Sequence, residues 1–241
     1  MRSLSIVIPC HNEAAAIPEV LGVLAQTRRR LLDSGMVSSC QVLVVDDASS
    51  DDTARLLQNY DWLETLRLES RSGYGAALKA GFSRSKGERI AFFDIDATYD
   101  PRDLEGMVRE IHASGVDLVM GERLSLGTGM PALRILGNGF FTWLVGSLYR
   151  YPVQDACTGY RLFHRKWMQA ILSLPHDGLD FSLAMTLLSI RSGISSREVP
   201  VRYRARRGDS KLRILPDGGR FLWTILRGYF QDRSHAPHWV Q

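Results

Sequence analysis

The sequence has few cysteines and no long apolar run. Its three cysteines, Cys10, Cys40 and Cys157, are odd in number and far apart, without the close spacing of metal ligands. We therefore predict reduced thiols in a cytoplasmic protein. No stretch reaches the ~18–20 apolar residues of a membrane-spanning helix, and the first residues lack the pattern of a signal peptide. The sequence thus predicts a protein that is soluble or held only at a membrane surface, on its cytoplasmic face.

Internal repeats and low-complexity tracts are also lacking. The 241 residues, 45% of them hydrophobic and 23% charged, fit one large α/β domain, and the net charge of +4 is only mildly basic. The positive charge is concentrated in one segment near the end of the chain: Arg202, Arg204, Arg206, Arg207, Lys211 and Arg213. Such a run is usually a solvated face. The alternative is a mobile loop, centred on residues 208–211, that folds over an anion.

Apolar runs alternate with helical patterns along the chain. Strands are predicted at residues 4–8, 41–45, 63–68, 90–93, 117–121 and 196–203, with a further short strand after residue 161. Helices are predicted at residues 12–32, 53–60, 76–85, 104–112, 133–149, 167–174, 181–192 and 221–230. Because strand and helix alternate at close spacing, the fold class predicted is α/β, with a Rossmann-like, mostly parallel, doubly wound sheet flanked by helices.

Acidic residues follow several of the predicted strands. Asp94 and Asp96 come directly after the buried strand 90–93, and Asp46 and Asp47 end the strand 41–45. Open α/β sheets bind ligands beyond the carboxyl ends of their strands. Paired carboxylates there suit a hard divalent cation that is shared with substrate phosphates. The alternative is that Asp94 and Asp96 are polar loop residues after a core strand.

The segment 133–149 combines apolar and small residues at helical spacing between Arg134 and Arg150. One interpretation is a helix that packs in the core. The other is a helix that lies in a membrane interface, because aromatic residues between basic ends are typical of that mode. The sequence leaves both open.

Seven short motifs occur along the chain. They are Pro9-x-x-Asn12-Glu13, Val45-Asp46-Asp47-x-Ser49-x-Asp51-x-Thr53, Asp94-x-Asp96, Gly121-x-Arg123, Asp155-x-x-Thr-Gly-Tyr-Arg161, Glu198-Val-Pro-Val-x-Tyr203 and Ser210-Lys211-Leu212. In this order they resemble family 2 glycosyltransferases of GT-A fold. The similarity covers nearly the whole chain, and the branch that it resembles most is the dolichyl- or polyprenyl-phosphate mannosyltransferases and glucosyltransferases.

The resemblance implies three groups of site residues. The nucleoside of a sugar nucleotide, of the GDP-mannose or UDP-glucose type, would be held by Pro9, His11, Glu13, Val45 and Asp47. Mg²⁺ or Mn²⁺ and the donor diphosphate would be surrounded by Asp94, Asp96 and Thr98. Phosphates of donor or acceptor would be bound by Arg123, Arg161 and Lys211.

The chemistry implied is inverting transfer of a hexose, with Asp96, Arg161, Lys211 and Asp155 as the catalytic candidates. A prenyl phosphate is already anionic at neutral pH, so it needs cations such as Arg161 and Lys211 rather than a general base. A sugar hydroxyl as acceptor would need a carboxylate base, and Asp155 is the candidate for that role.

The resulting hypothesis is one GT-A domain over residues 1–241, with a donor-binding half at 1–123 and an acceptor-binding half with amphipathic helices at 124–241. Its partners would be a nucleotide sugar, a polyprenyl phosphate and a peripheral membrane surface. One alternative is the same fold acting on a soluble acceptor. Another is a non-catalytic nucleotide-sugar-binding module, since the helix after Asp180 lacks the second acid usual in the branch. A nucleic-acid partner is not expected, because the acidic strand ends would repel phosphate.

Overall fold

The computed structural model describes residues 3–124, 129–207 and 214–234, and in the last of these ranges the side chains of 216–230. The strands of the described chain are β1 (Ser3–Cys10), β2 (Ser39–Asp46), β3 (Glu64–Arg67), β4 (Arg89–Phe92), β5 (Leu118–Glu122), β6 (Arg161–His164) and β7 (Ser196–Pro200). The helices are α1 (Ile17–Asp33), α2 (Thr53–Leu57), α3 (Tyr74–Arg84), α4 (Leu104–Ser114), α5 (Ala132–Tyr149), α6 (Met168–Leu172), α7 (Phe181–Arg191) and α8 (Ile214–Ser234).

The strands form one seven-stranded sheet in the order β3-β2-β1-β4-β6-β5-β7. The α/β class and the mostly parallel sheet are confirmed, but the sheet is mixed. β6 lies between β4 and β5 and runs antiparallel to both. It enters the sheet from the opposite end because the chain returns through α5 and the loop that follows it. A strand of four residues carries no sequence signal for its direction.

Helices cover both faces of the sheet, which explains the continuous apolar runs of the central strands. On one face, Ile6 and Ile8 of β1 belong to a cluster that includes the buried sides of α1 and α4. On the other face, Val7 packs in a cluster with α3, α6 and α7. Successive side chains of β1 therefore pack in two different cores. The carboxyl end of the strand lies between these cores.

The second half of the chain adds a smaller helical cluster. Val145 of α5, Leu183 and Leu187 of α7 and Ile225 of α8 form its buried centre. One side of α5 is buried in this way, while Leu136 and Trp143 on the same helix are exposed, so both interpretations of this helix stay open. Within the part of the chain that the structure describes, no helix is both long and apolar enough to span a bilayer.

Candidate active site at the carboxyl edge of the sheet

Three loops meet where β1, β2 and β4 end. These strands are neighbours and run parallel, so their carboxyl ends lie at one edge of the sheet. Each loop contains a non-glycine residue in the left-handed region: Asn12 (φ 50°), Ala48 (φ 52°) and Ala97 (φ 65°). Strained backbone of this kind tends to cluster at functional sites. The strand ends therefore have the local geometry of a binding site.

The polar residues after β2 connect the loop after β1 to the loop after β2 through hydrogen bonds. The backbone N–H groups of Asn12 and Glu13 donate to the hydroxyls of Ser49 and Thr53, each at 2.9 Å. At the start of α2, Asp52 makes no side-chain capping bond, but Oδ1 of Asp51 accepts from the backbone N–H of Thr53 at 3.0 Å. The hydroxyls support the loop that carries Glu13.

Asp47 is oriented by backbone amides. Its carboxylate accepts from the N–H groups of Ser72 at 2.6 Å and Gly73 at 2.9 Å, while its backbone oxygen lies 2.7 Å from Nδ1 of His11. Gly73 has φ of 104°, and a Cβ there would lie 2.4 Å from the backbone oxygen of Asp177. The glycine is thus required for the turn that delivers these amides.

Pro9 and Val45 face each other across the β1–β2 ladder. Both are buried, and Val45 packs in the apolar cluster beneath α3. Their predicted contact with a nucleoside stays a prediction. Their visible contribution is to place His11, Glu13 and Asp47 at the edge of the sheet.

Asp94 and Asp96 lie close together in different surroundings. Burial, reinforced by the negative charge of Asp96, raises the pKa of Asp94 to about 7. Its Oδ1 is buried and has no hydrogen-bond partner among the residues that the structure describes. Asp96 is instead well held, because its Oδ1 accepts from the backbone N–H of Thr98 at 3.0 Å and from the Thr98 hydroxyl at 2.5 Å.

This pair fits a hard divalent cation. The unpaired Oδ1 of Asp94 is an oxygen that could act as a metal ligand. Oδ2 of Asp96 already faces a positive charge, which is the guanidinium of Arg206. Among the described residues, no group of three His, Cys, Asp or Glu side chains could hold a metal. A cation at Asp94 and Asp96 would therefore depend on substrate phosphates for further ligands, as Mg²⁺ usually does. Thr98 then supports Asp96 through its hydroxyl.

The residues after β7 cross this edge and complete it. Tyr203 forms a β-bridge with Tyr99. The backbone N–H groups of Arg204 and Arg207 donate to the carbonyl oxygens of Thr98 and Asp96, at 2.9 and 3.0 Å. We call residues 203–207 the strap. The sequence left the basic run as either a solvated face or an anion-binding loop, and neither interpretation included this pairing.

Arg206 is the strap residue that enters the site. Its guanidinium pairs with Glu13 and, at 2.6 Å, with Asp96. The sequence offered no signal that separates it from Arg202 and Arg204. The three arginines are spaced two residues apart, so an extended chain would place all of them on the same side.

Arg123 and Asp155 form a buried ion pair. The guanidinium of Arg123 donates to both carboxylate oxygens, from Nε at 2.7 Å and from Nη2 at 2.9 Å. Asp155 is fully buried, and its backbone N–H donates to Glu198 at 2.9 Å. The structure thus gives Asp155 a partner that occupies both of its oxygens.

Arg161 is placed below the site surface. Its fully buried guanidinium donates to the backbone oxygen of Thr158 at 3.1 Å and to the Thr186 hydroxyl at 2.7 Å. Burial lowers the pKa of Arg161 to about 10, which leaves it charged at neutral pH. Its Nη1 has no hydrogen-bond partner within the described part of the chain. Its role as a phosphate ligand stays a prediction, and Lys211 lies outside the described residues.

Taken together, the geometry defines a class of protein. An α/β sheet brings carboxylates, oriented backbone amides and arginines to the carboxyl ends of its strands, as a nucleotide and cation site requires. The fold is similar to that of glucosyl-3-phosphoglycerate synthase from Mycobacterium tuberculosis, solved with Mn²⁺, uridine diphosphate and glucosyl-3-phosphoglycerate. The TM-score is 0.75 and the identity 19%, over 95% of this chain and 80% of that one. The class is therefore the GT-A glycosyltransferase fold.

The family follows from the sequence comparison. The model of glycosyl transferase family 2 matches residues 5–172, and the chain belongs to that family. It is 28% identical over 228 residues to the low-salt glycan biosynthesis hexosyltransferase Agl6 of Haloferax volcanii, covering 93% of this chain and 53% of that protein. It is also 28% identical over 231 residues to the dolichyl-phosphate hexose transferase of the same organism, covering 95% of each. The predicted family is confirmed, and the chain spans about half the length of the first relative.

Proposed function

We propose that this protein is a metal-dependent, inverting glycosyltransferase that moves a hexose from a nucleotide sugar to a polyprenyl phosphate at a membrane surface. Mannose and glucose are the hexoses that the resemblance favours. The name of the dolichyl-phosphate hexose transferase relative supports the lipid acceptor. The Mn²⁺ and uridine diphosphate in the structurally similar synthase support a metal and a nucleotide donor.

The observation that carries the lipid acceptor is an exposed apolar surface on α5 and α8. We call it the α5–α8 face, and it consists of Leu133, Leu136, Phe140 and Trp143 on α5 and Leu222, Trp223 and Phe230 on α8. Trp143 and Trp223 are 64% and 65% exposed. Soluble proteins rarely leave so many large apolar side chains in water unless they bind a partner.

The chemistry of this face favours a lipid bilayer with anionic headgroups. Its α5 members are spaced i, i+3, i+7 and i+10, which places them along one side of the helix. On α8, Arg220 and Arg227 alternate with Trp223 and Phe230 at the same spacing. α5 contains no acidic residue. Aromatic side chains that alternate with arginines match the boundary between acyl chains and anionic headgroups.

The site supports an acceptor that needs no general base. Asp155 is the carboxylate that a hydroxyl acceptor would require, yet it is fully buried with both oxygens held by Arg123. A lipid phosphate attacks the anomeric carbon as an anion, and Arg206 and the predicted Arg161 and Lys211 would offset its charge. Asp94 and Asp96 would hold the divalent cation, which stabilises charge on the leaving diphosphate.

The test is the release of nucleotide diphosphate from a donor panel with Mn²⁺ or Mg²⁺. Three acceptor conditions are compared: a polyprenyl phosphate in anionic vesicles, a soluble phosphomonoester, and none. The proposal predicts that release rises strongly only with the lipid phosphate and stops when the metal is chelated. Equal or greater release with the soluble acceptor would move the acceptor to a soluble molecule. No release from any donor would leave a nucleotide-sugar-binding module.

A further inference from the structure

Arg206 places a positive charge on the carboxylate that a metal would need. Its Nη1 lies 2.6 Å from Oδ2 of Asp96, and its Nη2 pairs with Glu13. Only 18% of the Arg206 side chain is exposed. Oδ2 is the oxygen of Asp96 that Thr98 leaves open, because the N–H and the hydroxyl of Thr98 both donate to Oδ1. A guanidinium at this distance competes with a divalent cation for that oxygen, because the two positive charges repel each other.

The pairing has a clear electrostatic cause. Glu13 and Asp96 are buried carboxylates in the loops after β1 and β4, with 7% and 5% exposure. Two ionised carboxylates that are buried near each other destabilise each other by repulsion unless a cation lies between them. Arg206 supplies that cation from the strap.

The backbone of the strap is held independently of the ion pair between Arg206 and Asp96. It is fixed by backbone bonds, from Arg204 N–H to the Thr98 oxygen and from Arg207 N–H to the Asp96 oxygen. These bonds do not involve the Arg206 side chain. Among the described residues, the Nε of Arg206 has no hydrogen-bond partner, and the ion pairs with Glu13 and Asp96 are the contacts that hold its guanidinium in the site. A rotation of the Arg206 side chain would therefore free Oδ2 and leave both backbone bonds in place.

We propose that Arg206 is a resident counter-cation that occupies the metal position of Asp96, and that a divalent cation binds only as Arg206 turns away. This inference rests on the proposed function, in which Asp96 is a metal ligand. The freed guanidinium remains on the strap beside the site, where an anionic diphosphate is its natural partner, since guanidinium binds phosphate through paired hydrogen bonds. Arg206 would thus exchange a carboxylate for a phosphate as the site fills.

The experiment measures Mn²⁺ binding with no nucleotide present, from the electron paramagnetic resonance signal of the free ion. Arg206→Ala is compared with the wild type and with Arg204→Ala. The control removes the same charge from the same strap, but Arg204 pairs with Asp100 at 2.8 Å and not with Asp96. We expect Arg206→Ala to bind Mn²⁺ about tenfold more tightly, a change of ~1.4 kcal/mol. The control should stay within about twofold, as for a screened charge.

Two further variants keep the test informative if Arg206→Ala does not fold. Arg206→Gln keeps polar contacts with Glu13 and Asp96 but removes the charge, so it should also bind Mn²⁺ more tightly. Arg206→Lys keeps a cation, so it should resemble the wild type. Circular dichroism checks the fold of each variant.

The outcomes separate this inference from the proposed function. Equal Mn²⁺ affinity in the wild type, Arg206→Ala and Arg206→Gln would overturn the role of Arg206 and leave metal dependence intact. Tightening of the same size in Arg204→Ala would also overturn it, since the effect would then be general charge. No Mn²⁺ binding by any folded chain, even after a nucleoside diphosphate is added, would overturn both.

Discussion

The Arg123 guanidinium donates hydrogen bonds to both carboxylate oxygens of Asp155 in a buried ion pair, at 2.7 and 2.9 Å. Arg123 directly follows β5, and Asp155 lies in the loop before β6. Arg123 also lies 5.9 and 5.8 Å from the ring centres of Tyr99 and Tyr203. The pair therefore connects the antiparallel strand to the strap and to the loop that carries Asp96.

The first prediction is that Asp155→Asn destabilises the fold. Removing one partner of a buried ion pair leaves the other charge uncompensated, which costs about 3–5 kcal/mol. Denaturant unfolding measures the loss. Asp52→Asn is the matched control, because Asp52 makes a similar two-point pair with Arg55 in full solvent. It should unfold as the wild type does, and an equally small effect at Asp155 would contradict a structural role for that pair.

The second prediction concerns the turn that delivers amides to Asp47. A Cβ on Gly75 would lie 2.5 Å from the His176 backbone oxygen and 2.9 Å from Cβ of Phe181. Gly75→Ala should therefore cost about 1–3 kcal/mol, as overpacking does, and should weaken donor binding. Calorimetry with the donor and thermal unfolding measure the two effects.

Gly22→Ala is the control for that substitution. Gly22 is in α1, is exposed, and has nothing within 4 Å of its Cβ position. Alanine there should raise the free energy of unfolding by about 0.5–1 kcal/mol and leave donor binding unchanged. If both variants behaved alike, the close approach at Gly75 would not be what constrains the turn.

The third prediction is vesicle binding through the α5–α8 face. Replacing Trp143 and Trp223 by Ser should lower affinity for anionic vesicles at least about tenfold, since each exposed indole loses its apolar contact with the bilayer. Replacing Arg220 and Arg227 by Ser should weaken binding to anionic vesicles only, at roughly 1 kcal/mol per charge. Sedimentation with anionic and zwitterionic vesicles distinguishes these effects. Wild-type chain that stays in the supernatant with both would refute the membrane surface.

The fourth prediction is a pH dependence from Asp180. Burial opposes its charged form, but the hydrogen bond and charge of His176 and the hydroxyl of Thr224 outweigh burial, and the pKa of Asp180 falls below its usual 3.8. A lowered pKa stabilises the fold above the unfolded value, and that stability is lost as pH falls through the folded value.

Asp180→Asn removes the titrating group and keeps its shape. The variant should be less stable than the wild type by about 1–3 kcal/mol at pH 6, and the difference should shrink as pH falls below 3.8. Urea unfolding at several pH values provides the measurement. Asp33→Asn is the control, because the Asp33 side chain is 71% exposed. A gap that persists unchanged at pH 3 would contradict the assignment.

Much of the fold was predictable because buried strands and amphipathic helices leave periodic apolar patterns. The runs at β1, β2 and β4 predicted a central sheet, and their acidic ends predicted where the site would lie. The direction of β6 was not predictable, since four residues cannot encode which neighbour they pair with. That depends on the path of the chain through α5.

Within the site, the sequence identified charges but not their partners. Asp94 and Asp96 look alike in sequence, yet one has an orphaned buried oxygen and the other is bonded to Thr98 and Arg206. Asp155 looked available as a base until its contact with Arg123 was seen. Which arginine of the basic run enters the site depends on the β-bridge between Tyr99 and Tyr203, a long-range pairing that local pattern does not reveal.

The most direct test of lipid-phosphate glycosylation follows the sugar. Nucleotide sugars with a radiolabelled hexose are incubated with the protein, Mn²⁺ and a polyprenyl phosphate in anionic vesicles, and the label is then partitioned between organic solvent and water. The account predicts that label enters the organic phase as a hexosyl lipid, and that chelation of the metal abolishes this transfer. Label that stays in water, as free sugar or on a soluble acceptor, would contradict it.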